Sequence, residues 1–161
     1  MRIAYSLGSL LSVNQVIKCS EILSKTNVES IWVPETWGME NFSMLGAVAN
    51  KTSTQKIGSS IINIYSRSPS TIAMGASTID ILSNGRLVLG LGTSSEPIVE
   101  DFHGEKFENP VERMKEYVEI IRLALTKKQI NYSGKIFNLK NFTLLIEPKR
   151  QSIPIYLAAI N

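Results

Sequence analysis

The sequence predicts an α/β fold, the N-terminal portion of a TIM (β/α)8 barrel with about five parallel strands and an inserted β-hairpin. Three observations support this fold class. The first four strand signals begin near residues 2, 30, 56 and 86, so strands and helices alternate with a period of about 26 to 30 residues. Apolar runs such as LVLGL and IYLAA are typical of strands buried on both faces of a parallel sheet. Capping and turn residues separate these runs from segments with helical spacing of apolar residues.

Five segments are rich in β-branched or apolar residues and have the length of strands. They are Arg2–Ser6, Ser30–Pro34, Lys56–Ile64, Leu87–Leu91 and Ile155–Ala159. Because the barrel is incomplete, we expect the first and the last of these strands to be the two edges of the sheet.

Four helices are predicted between the strands. Ser12 begins the first helix with a capping box. Met44–Ala49 forms a shorter second helix. The third starts at Ser68–Pro69 and stops at Asn84–Gly85, where a left-handed conformation is expected. Asn109–Pro110 opens the fourth helix.

The fifth strand comes late because residues 129–147 predict an inserted β-hairpin with Tyr132–Ser133–Gly134 as its turn. We expect residues 1–161 to form one domain, which is incomplete because a whole barrel takes about 250 residues. Open strand edges and exposed aliphatic side chains on the inner face would favour association. The chain is therefore expected to form a homo-oligomer, to pair with a missing second half of the barrel, or to aggregate.

Composition excludes several functional classes. The single cysteine, Cys19, cannot form an internal disulfide and fits a cytoplasmic protein. One cysteine and one histidine cannot build a metal cluster, and we expect that histidine, His103, to be a loop residue rather than an acid or base. No apolar run is long enough to span a membrane.

The positive charge is concentrated in residues 126–150, which include Lys127, Lys128 and Arg150. This segment could attract a phosphate or carboxylate group, or it could be the solvated face of the hairpin. Nucleic acid is not an expected partner, because stacking aromatic residues do not alternate with these basic residues.

Small and polar side chains follow the predicted strands, where α/β folds of this type carry their chemistry. The set includes one carboxylate, Glu35, which has no basic neighbour in the sequence. Such groups suit a cradle for a planar cofactor that carries the reaction itself. GLGTSS after the fourth strand departs from the dinucleotide fingerprint at Ser95, and its glycines could serve only the close packing of that strand end.

A series of sequence blocks resembles the bacterial luciferase-like superfamily of barrel oxidoreductases. In order, the blocks are WVPETWG, IGSSIINIYSRSP, ASTIDILSNGR, LVLGLGTS, HGEKFENPVERMKEYVEIIRLAL and IPIYLAAIN. They are similar to the branch that uses coenzyme F-420, an 8-hydroxy-5-deazaflavin, typified by methylene-tetrahydromethanopterin reductase. The resemblance covers nearly the whole chain but only the first half or so of a typical member. It implies hydride transfer between the deazaflavin and a small organic substrate.

The resemblance also implies where the cofactor lies. Family members bind it at the mouth of the barrel against a non-proline cis peptide in the third strand, here Ser60–Ile61. The cofactor-binding residues implied are Glu35, Thr36, Ser60, Ile61, Asn63, Gly92, Thr93 and Ser94. The substrate-side candidates are Trp37, Ser95 and Arg67.

The catalytic residue stays open in the sequence. The sugar-phosphate dehydrogenase subgroup has a histidine at the position of Thr36 and a glutamate at that of Ser95, so that activity is not expected here. Arg67 could bind an anionic tail of the cofactor or anchor the following helix. Two other functions fit the same pattern: an FMN-dependent luciferase-like monooxygenase, and a non-catalytic half-barrel that acts as a binding or assembly module.

Overall fold

The computed structural model describes residues 2–8, 10–126 and 129–159. The strands in these residues are β1 (Ala4–Ser6), β2 (Ser30–Val33), β3 (Lys56–Ser59), β4 (Ile62–Asn63), β5 (Leu87–Gly92), β6 (Ile130–Ser133), β7 (Asn138–Phe142) and β8 (Ile155–Leu157). The helices are α1 (Val13–Leu23), α2 (Asn41–Lys51), α3 (Pro69–Leu82) and α4 (Pro110–Ala124), with one π-helical turn at Ile98–Phe102.

Six of the strands form one parallel sheet. The order is β1-β2-β3-β5, and β4 and β8 each pair with β5. Since β4 continues the direction of the third predicted strand, five strand positions follow one another in chain order, as the sequence predicts. The predicted fold class, a partial β/α barrel with a parallel sheet of about five strands, is confirmed.

Local signals set the helix ends. The Ser12 capping box is present, with the Ser12 N–H donating to Gln15 Oε1 at 2.8 Å. Asn84 and Gly85 have φ values of 55° and 82°, so the predicted left-handed stop of α3 is confirmed. Helix α2 begins earlier than the predicted Met44, because the Glu40 carboxylate accepts hydrogen bonds from the first free N–H groups of the helix.

The core lies between the helices and one face of the sheet. Ile31, Ile57 and Leu87 share one row across β2, β3 and β5, and all three are fully buried. Apolar residues of the helices, such as Leu45 and Ile72, belong to the same buried cluster. Near-continuous apolar strands therefore do meet a helical layer, as a parallel sheet requires.

The opposite, inner face of the sheet carries two aromatic side chains, Trp32 and Tyr156, in addition to aliphatic ones such as Val88. Trp32 lies beside Gly58, where an added Cβ would come within 2.5 Å of the indole ring. The ring centroids of Trp32 and Tyr156 are 5.7 Å apart. Glycine at position 58 thus gives the indole room to lie flat across the sheet, and Trp32 is only partly buried.

The third predicted strand, Lys56–Ile64, is divided into β3 and β4. The Ser60–Ile61 peptide between them is cis, as predicted. At this break the Ser59 hydroxyl donates to the Gly90 carbonyl at 2.9 Å and accepts from the Gly90 N–H at 2.8 Å. The Ser59 hydroxyl therefore satisfies the backbone N–H and carbonyl of Gly90, which have no backbone partner on β3 at this point.

The inserted hairpin is present, but its turn lies later than predicted. Tyr132 and Ser133 belong to β6, and the Gly134 N–H donates to the Phe137 carbonyl at 2.8 Å. The buried Glu116 carboxylate on α4 accepts hydrogen bonds from the backbone of Lys135, Ile136 and Phe137. These long-range hydrogen bonds, which we call the Glu116 clasp, cannot be predicted from the local sequence. They place the turn at residues 134–137.

Both edges of the sheet are where the sequence predicts them. Within the described residues, β1 pairs with β2 and β8 pairs with β5, and neither has a second strand beside it. None of the helices in the described ranges has the length and apolar character needed to cross a membrane.

Candidate functional site

A cavity of about 190 Å³ lies at the carboxyl ends of β2, β4 and β5. Its lining consists of Glu35, Thr36, Ser60, Ile61, Asn63, Ser94, Ile98 and His103. Six of these eight residues are among those that the resemblance assigns to cofactor binding. The parallel arrangement explains their convergence, because the carboxyl ends of neighbouring parallel strands open on the same side of a sheet.

Two polar groups on this cavity lack partners among the described residues. Asn63 is 4% exposed, and its Oδ1 accepts from the Tyr65 N–H at 2.9 Å while its Nδ2 has no partner. The buried Ser60 hydroxyl is also without a partner. Leaving such groups unpaired costs about 1–3 kcal/mol each, so the cavity is suited to an occupant that supplies hydrogen-bond partners.

Glu35 does have a basic partner, contrary to the impression given by the sequence. Arg67 binds both of its carboxylate oxygens, with Nη1–Oε2 at 2.8 Å and Nη2–Oε1 at 2.5 Å. The Asn41 N–H donates to Glu35 at 3.0 Å. Both ionic side chains are largely buried, with 15% of Arg67 and 11% of Glu35 exposed. The pair therefore links the end of β2 to the residues just before α3.

Glu40 joins this pair as a third charged group. Its carboxylate contacts Arg67 and also caps α2. Hydrogen bonding to Glu35 raises the pKa of Arg67 despite the opposing effect of burial. Burial favours protonation of Glu40, but hydrogen bonds from Ser43 and Phe42 together with Arg67 outweigh it and hold the pKa of Glu40 below its usual value. Arg67 and Glu40 are therefore charged at neutral pH.

A second cavity, of about 240 Å³, adjoins the first through the residues they share, Glu35, Thr36 and His103. We call it the vestibule. Trp37 and Arg67, two of the three substrate-side candidates, line it, and Trp37 is 70% exposed. Phe102 stands in the same lining. The vestibule is thus an aromatic-walled space directly beside the polar cavity.

The remaining three predicted site residues lie outside both cavities. Gly92 is buried against Ile61, and an added Cβ would come within 2.6 Å of the Ile61 side chain. Thr93 faces a separate apolar groove, and Ser95 is exposed with its carbonyl accepting from the Val99 N–H at 3.0 Å. The glycines of LVLGLG therefore serve close packing in this structure, which was one of the two interpretations of that segment.

The sequence model of the luciferase-like monooxygenase family matches residues 4–161. This chain belongs to that family.

Two curated relatives resemble this luciferase-like chain. It is 39% identical over 129 residues to a 5,10-methylenetetrahydromethanopterin reductase of Archaeoglobus fulgidus, a match covering 80% of this chain and 38% of the relative. It is 31% identical over 143 residues to a protein of Mycobacterium tuberculosis named as a coenzyme F-420-dependent oxidoreductase, covering 81% and 41%. The chain thus spans about two fifths of the length of these relatives.

Solved structures share the fold. The coenzyme F-420-dependent tetrahydromethanopterin reductase from Methanopyrus kandleri superposes with a TM-score of 0.87 at 21% identity. The match covers 98% of this chain and 50% of that structure. The luciferase-like chain therefore corresponds in its whole described architecture to about half of a larger barrel.

His103 lines both cavities, although the sequence did not place it among the expected site residues. The segment after Pro97 is acidic and was expected to be a loop, but Ile98–Phe102 forms a π-helical turn that brings Ile98 to one cavity and Phe102 to the other. Pro97 precedes this turn, and proline is frequent at helix starts. That signal could have indicated a short helical segment here.

A larger apolar groove of about 750 Å³ lies between α4 and the end of β8 in the luciferase-like chain. Val111 and Leu157 line it and are 83% and 55% exposed. It is separate from the polar cavity, since the two linings share no residue.

The described residues of the basic segment 126–150 line neither the polar cavity nor the vestibule. Arg150 binds the fully buried Asp80 on α3 through Nε and Nη2, and also donates to the Leu87 carbonyl. Lys135 and Lys140 are exposed on the hairpin, and Lys127 and Lys128 lie outside the described residues.

Proposed function

We propose that this luciferase-like chain provides the cofactor-binding part of an oxidoreductase that moves a hydride between coenzyme F-420 and a small organic substrate. The single observation that carries the proposal is the polar cavity at the strand ends, with Asn63 Nδ2 and the Ser60 hydroxyl unpaired. The names of the two curated relatives support the same class of reaction.

The cavity residues fit a deazaflavin in their chemistry. Flavins and deazaflavins share a ring edge of carbonyl and nitrogen groups, and an amide donor with a hydroxyl can pair with such an edge. Asn63 and Ser60 would hold it, with Thr36 and Ser94 offering further hydroxyl groups. Ile61 supplies an apolar surface beside them.

When bound, the cofactor supplies the hydride chemistry, and the chain supplies position and electrostatics. The Glu35–Arg67 pair fixes the relative position of two strand ends that carry cavity residues. Trp37 and Phe102 narrow the vestibule, so a substrate that enters it excludes water from the polar cavity. This arrangement would place cofactor and substrate in adjoining spaces.

Two alternative functions are each supported by a specific observation. The family description is that of monooxygenases, and FMN presents the same polar ring edge, so FMN binding in this cavity is the first alternative. A non-catalytic half-barrel is the second, because the chain spans about half of the solved relative. We also infer that a second copy or a second half of the barrel completes the site.

A titration of the 161-residue protein with F-420 and separately with FMN, followed by cofactor fluorescence, tests the proposal. We expect saturable F-420 binding that Asn63→Leu weakens at least about tenfold, since an unpaired donor is removed together with its bond. Asn138→Leu, an exposed change in β7, is the matched control and should leave the affinity unchanged.

The outcomes separate the candidates. FMN binding without F-420 binding would establish the first alternative instead. Binding of neither cofactor by a protein with intact circular dichroism would contradict the oxidoreductase proposal and favour the non-catalytic half-barrel. Cofactor binding with reduction of a test acceptor, such as a small imine, would support hydride transfer.

A further inference from the structure

We propose that His103 is the residue that exchanges a proton with the substrate, from the wall shared by the polar cavity and the vestibule. The inference rests on the proposed function, and it reverses the expectation from the sequence that His103 is not an acid or base. It depends on the position of the imidazole and on its free hydrogen-bonding capacity.

The position is defined by the two cavities. His103 lines both, together with Glu35 and Thr36, so its side chain borders the space proposed for the cofactor and the space proposed for the substrate. The end of the π-helical turn holds it there, because the His103 N–H donates to the Ile98 carbonyl at 3.2 Å. The imidazole ring meets Phe102 edge to face, with the centroids 4.9 Å apart.

The imidazole is available for proton exchange. Neither ring nitrogen has a hydrogen-bond partner among the residues that the structure describes, and the side chain is partly exposed, so solvent can return a proton to it. Histidine is the residue type whose ordinary titration lies closest to neutral pH. The other titratable side chains of the two linings are committed to one another, since Arg67 binds Glu35 and Glu40.

Most of the charged side chains near the imidazole, in the shared lining and along the chain, are carboxylates, with Arg67 and Lys106 as the nearby cations. Across the vestibule stand Glu35, Glu40 and Arg67, which together carry one net negative charge. Glu100 and Asp101 lie on its own π-helical turn, and Glu105 follows two residues later.

In the proposed step, the carbon of a C=N or C=O group of the substrate would receive a hydride, with its electron pair. A bound reduced deazaflavin, the reductant of the proposed function, would supply that hydride. The π bond breaks, and its electron pair takes the proton from a ring nitrogen of His103. One C–H bond and one N–H or O–H bond form, the cofactor is oxidised, and the neutral imidazole regains a proton from water.

A nuclear magnetic resonance titration tests the position without relying on activity. The chain contains one histidine, so tag-free protein gives a single imidazole Cε1–H signal. We expect this signal to shift with F-420 at the same midpoint as the fluorescence change of the cofactor. In Asn63→Leu both midpoints should move together.

Failure of the inference and failure of the proposed function look different. F-420 binding detected by fluorescence with an unmoved imidazole signal would overturn the role of His103 alone. Absence of binding by either method would overturn the proposed function and, with it, this inference.

The pH profile of acceptor reduction tests the proton transfer itself. His103→Gln keeps a polar side chain but cannot exchange a proton, so we expect a rate lower by about 10²- to 10⁴-fold and loss of the near-neutral limb of the profile. Its F-420 affinity should stay within about threefold of the unchanged protein. A variant that keeps the original rate and pH profile would overturn the proposal, as would a loss of affinity equal to the loss of rate. Asn138→Leu, the exposed change on the hairpin, is the control and should retain both the rate and the limb.

Discussion

Arg67 joins three parts of the molecule through a single side chain and its carbonyl. The guanidinium binds Glu35 after β2 and Glu40 before α2, and the Arg67 carbonyl accepts from the Tyr117 hydroxyl on α4 at 2.6 Å. Burial raises the pKa of Tyr117 to about 12, so this hydroxyl remains a donor at any physiological pH. A residue proposed for the substrate side thus has a structural task that does not depend on a ligand.

Replacing Arg67 with lysine tests that task. Arg67→Lys keeps the charge but loses the planar fork that bonds both oxygens of Glu35, so we expect the free energy of unfolding to fall by about 1.5–3 kcal/mol in urea titrations. Combining it with Glu35→Gln should cause less loss than the sum of the two single changes.

The surface pair between Lys56 and Glu29 provides the control for this measurement. Its Nζ–Oε1 distance is 3.0 Å, but more than half of the lysine side chain is exposed. Lys56→Gln should therefore have little effect on stability. Equal decreases in the free energy of unfolding for Arg67→Lys and Lys56→Gln would show that the buried Glu35–Arg67 pair stabilises the protein no more than the surface pair does.

The convergence of the cavity residues was predictable from the sequence, whereas their interactions were not. Asn63 ends β4, and Thr36 and Ser94 follow β2 and β5, so the topology of parallel sheets is enough to bring them together. Glu35 and Arg67 are 32 residues apart, and no local pattern reports a contact over that distance. His103 was missed for a related reason, since only the folded π-helical turn turns it toward the cavities.

At the scale of the element, the break between β3 and β4 requires glycine in the neighbouring strand. A Cβ at Gly90 would lie 2.0 Å from the Ser59 carbonyl oxygen, which belongs to the backbone and cannot move aside easily. The predicted strand Lys56–Ile64 was correct in its extent, but its interruption was implied only by the resemblance. Periodicity alone could not show it, because both halves are apolar.

Substitution at Gly90 measures the cost of this close approach. We expect Gly90→Ala to lower the free energy of unfolding by about 2–4 kcal/mol, because strands β3 and β5 must separate to admit the methyl group. Gly8→Ala is the matched control, since an added Cβ there meets nothing within 4 Å, and it should change stability by less than about 0.5 kcal/mol. Similar urea midpoints for the two variants would refute the steric argument.

The hairpin depends on Glu116 of α4. Burial alone would raise the pKa of this carboxyl, but hydrogen bonds from the backbone of Phe137, Ile136 and Lys135 outweigh it and hold the pKa below the usual value. A lowered folded-state pKa means that the stabilisation is complete above the ordinary carboxyl pKa and is lost as the pH falls through the lowered value.

We therefore expect Glu116→Gln to destabilise the protein by about 1–3 kcal/mol at pH 7 and by much less at a pH below the lowered pKa. Hydrogen exchange at the amides of Lys135 and Phe137 should accelerate in the variant. Glu112→Gln on the same helix is the control, because Glu112 makes only a 3.8 Å ion pair with the exposed Lys135. A destabilisation by Glu116→Gln that is independent of pH would argue against the charged clasp.

At the scale of the whole molecule, one of the two open edges of the sheet, the edge at β8, adjoins the apolar groove. Leu157 belongs to this edge strand and also lines the groove beside α4. Unpaired strand edges and contiguous apolar surface both favour association with another chain. The position of the edges was predictable from topology, whereas the groove depends on how α4 packs.

Sedimentation velocity of the 161-residue protein should therefore show concentration-dependent association. Leu157→Lys places a charge on both the edge and the groove and should shift the distribution toward monomer, as charged edge residues do. Leu145→Lys is the control, because Leu145 is 98% exposed and is absent from the groove lining. A cooperatively melting monomer at every concentration would contradict the expectation of association.

The crowding between Ser59 and Gly90 also bears on how such sequences are interpreted. A glycine-rich segment after a strand invites assignment to phosphate or nucleotide recognition. Here Gly90 must be glycine because the main chain of the adjacent strand leaves no room for a side chain. This steric requirement does not depend on a ligand. A glycine in such a segment can therefore be required by strand packing as well as by ligand binding. The atoms that an added Cβ would contact distinguish the two cases.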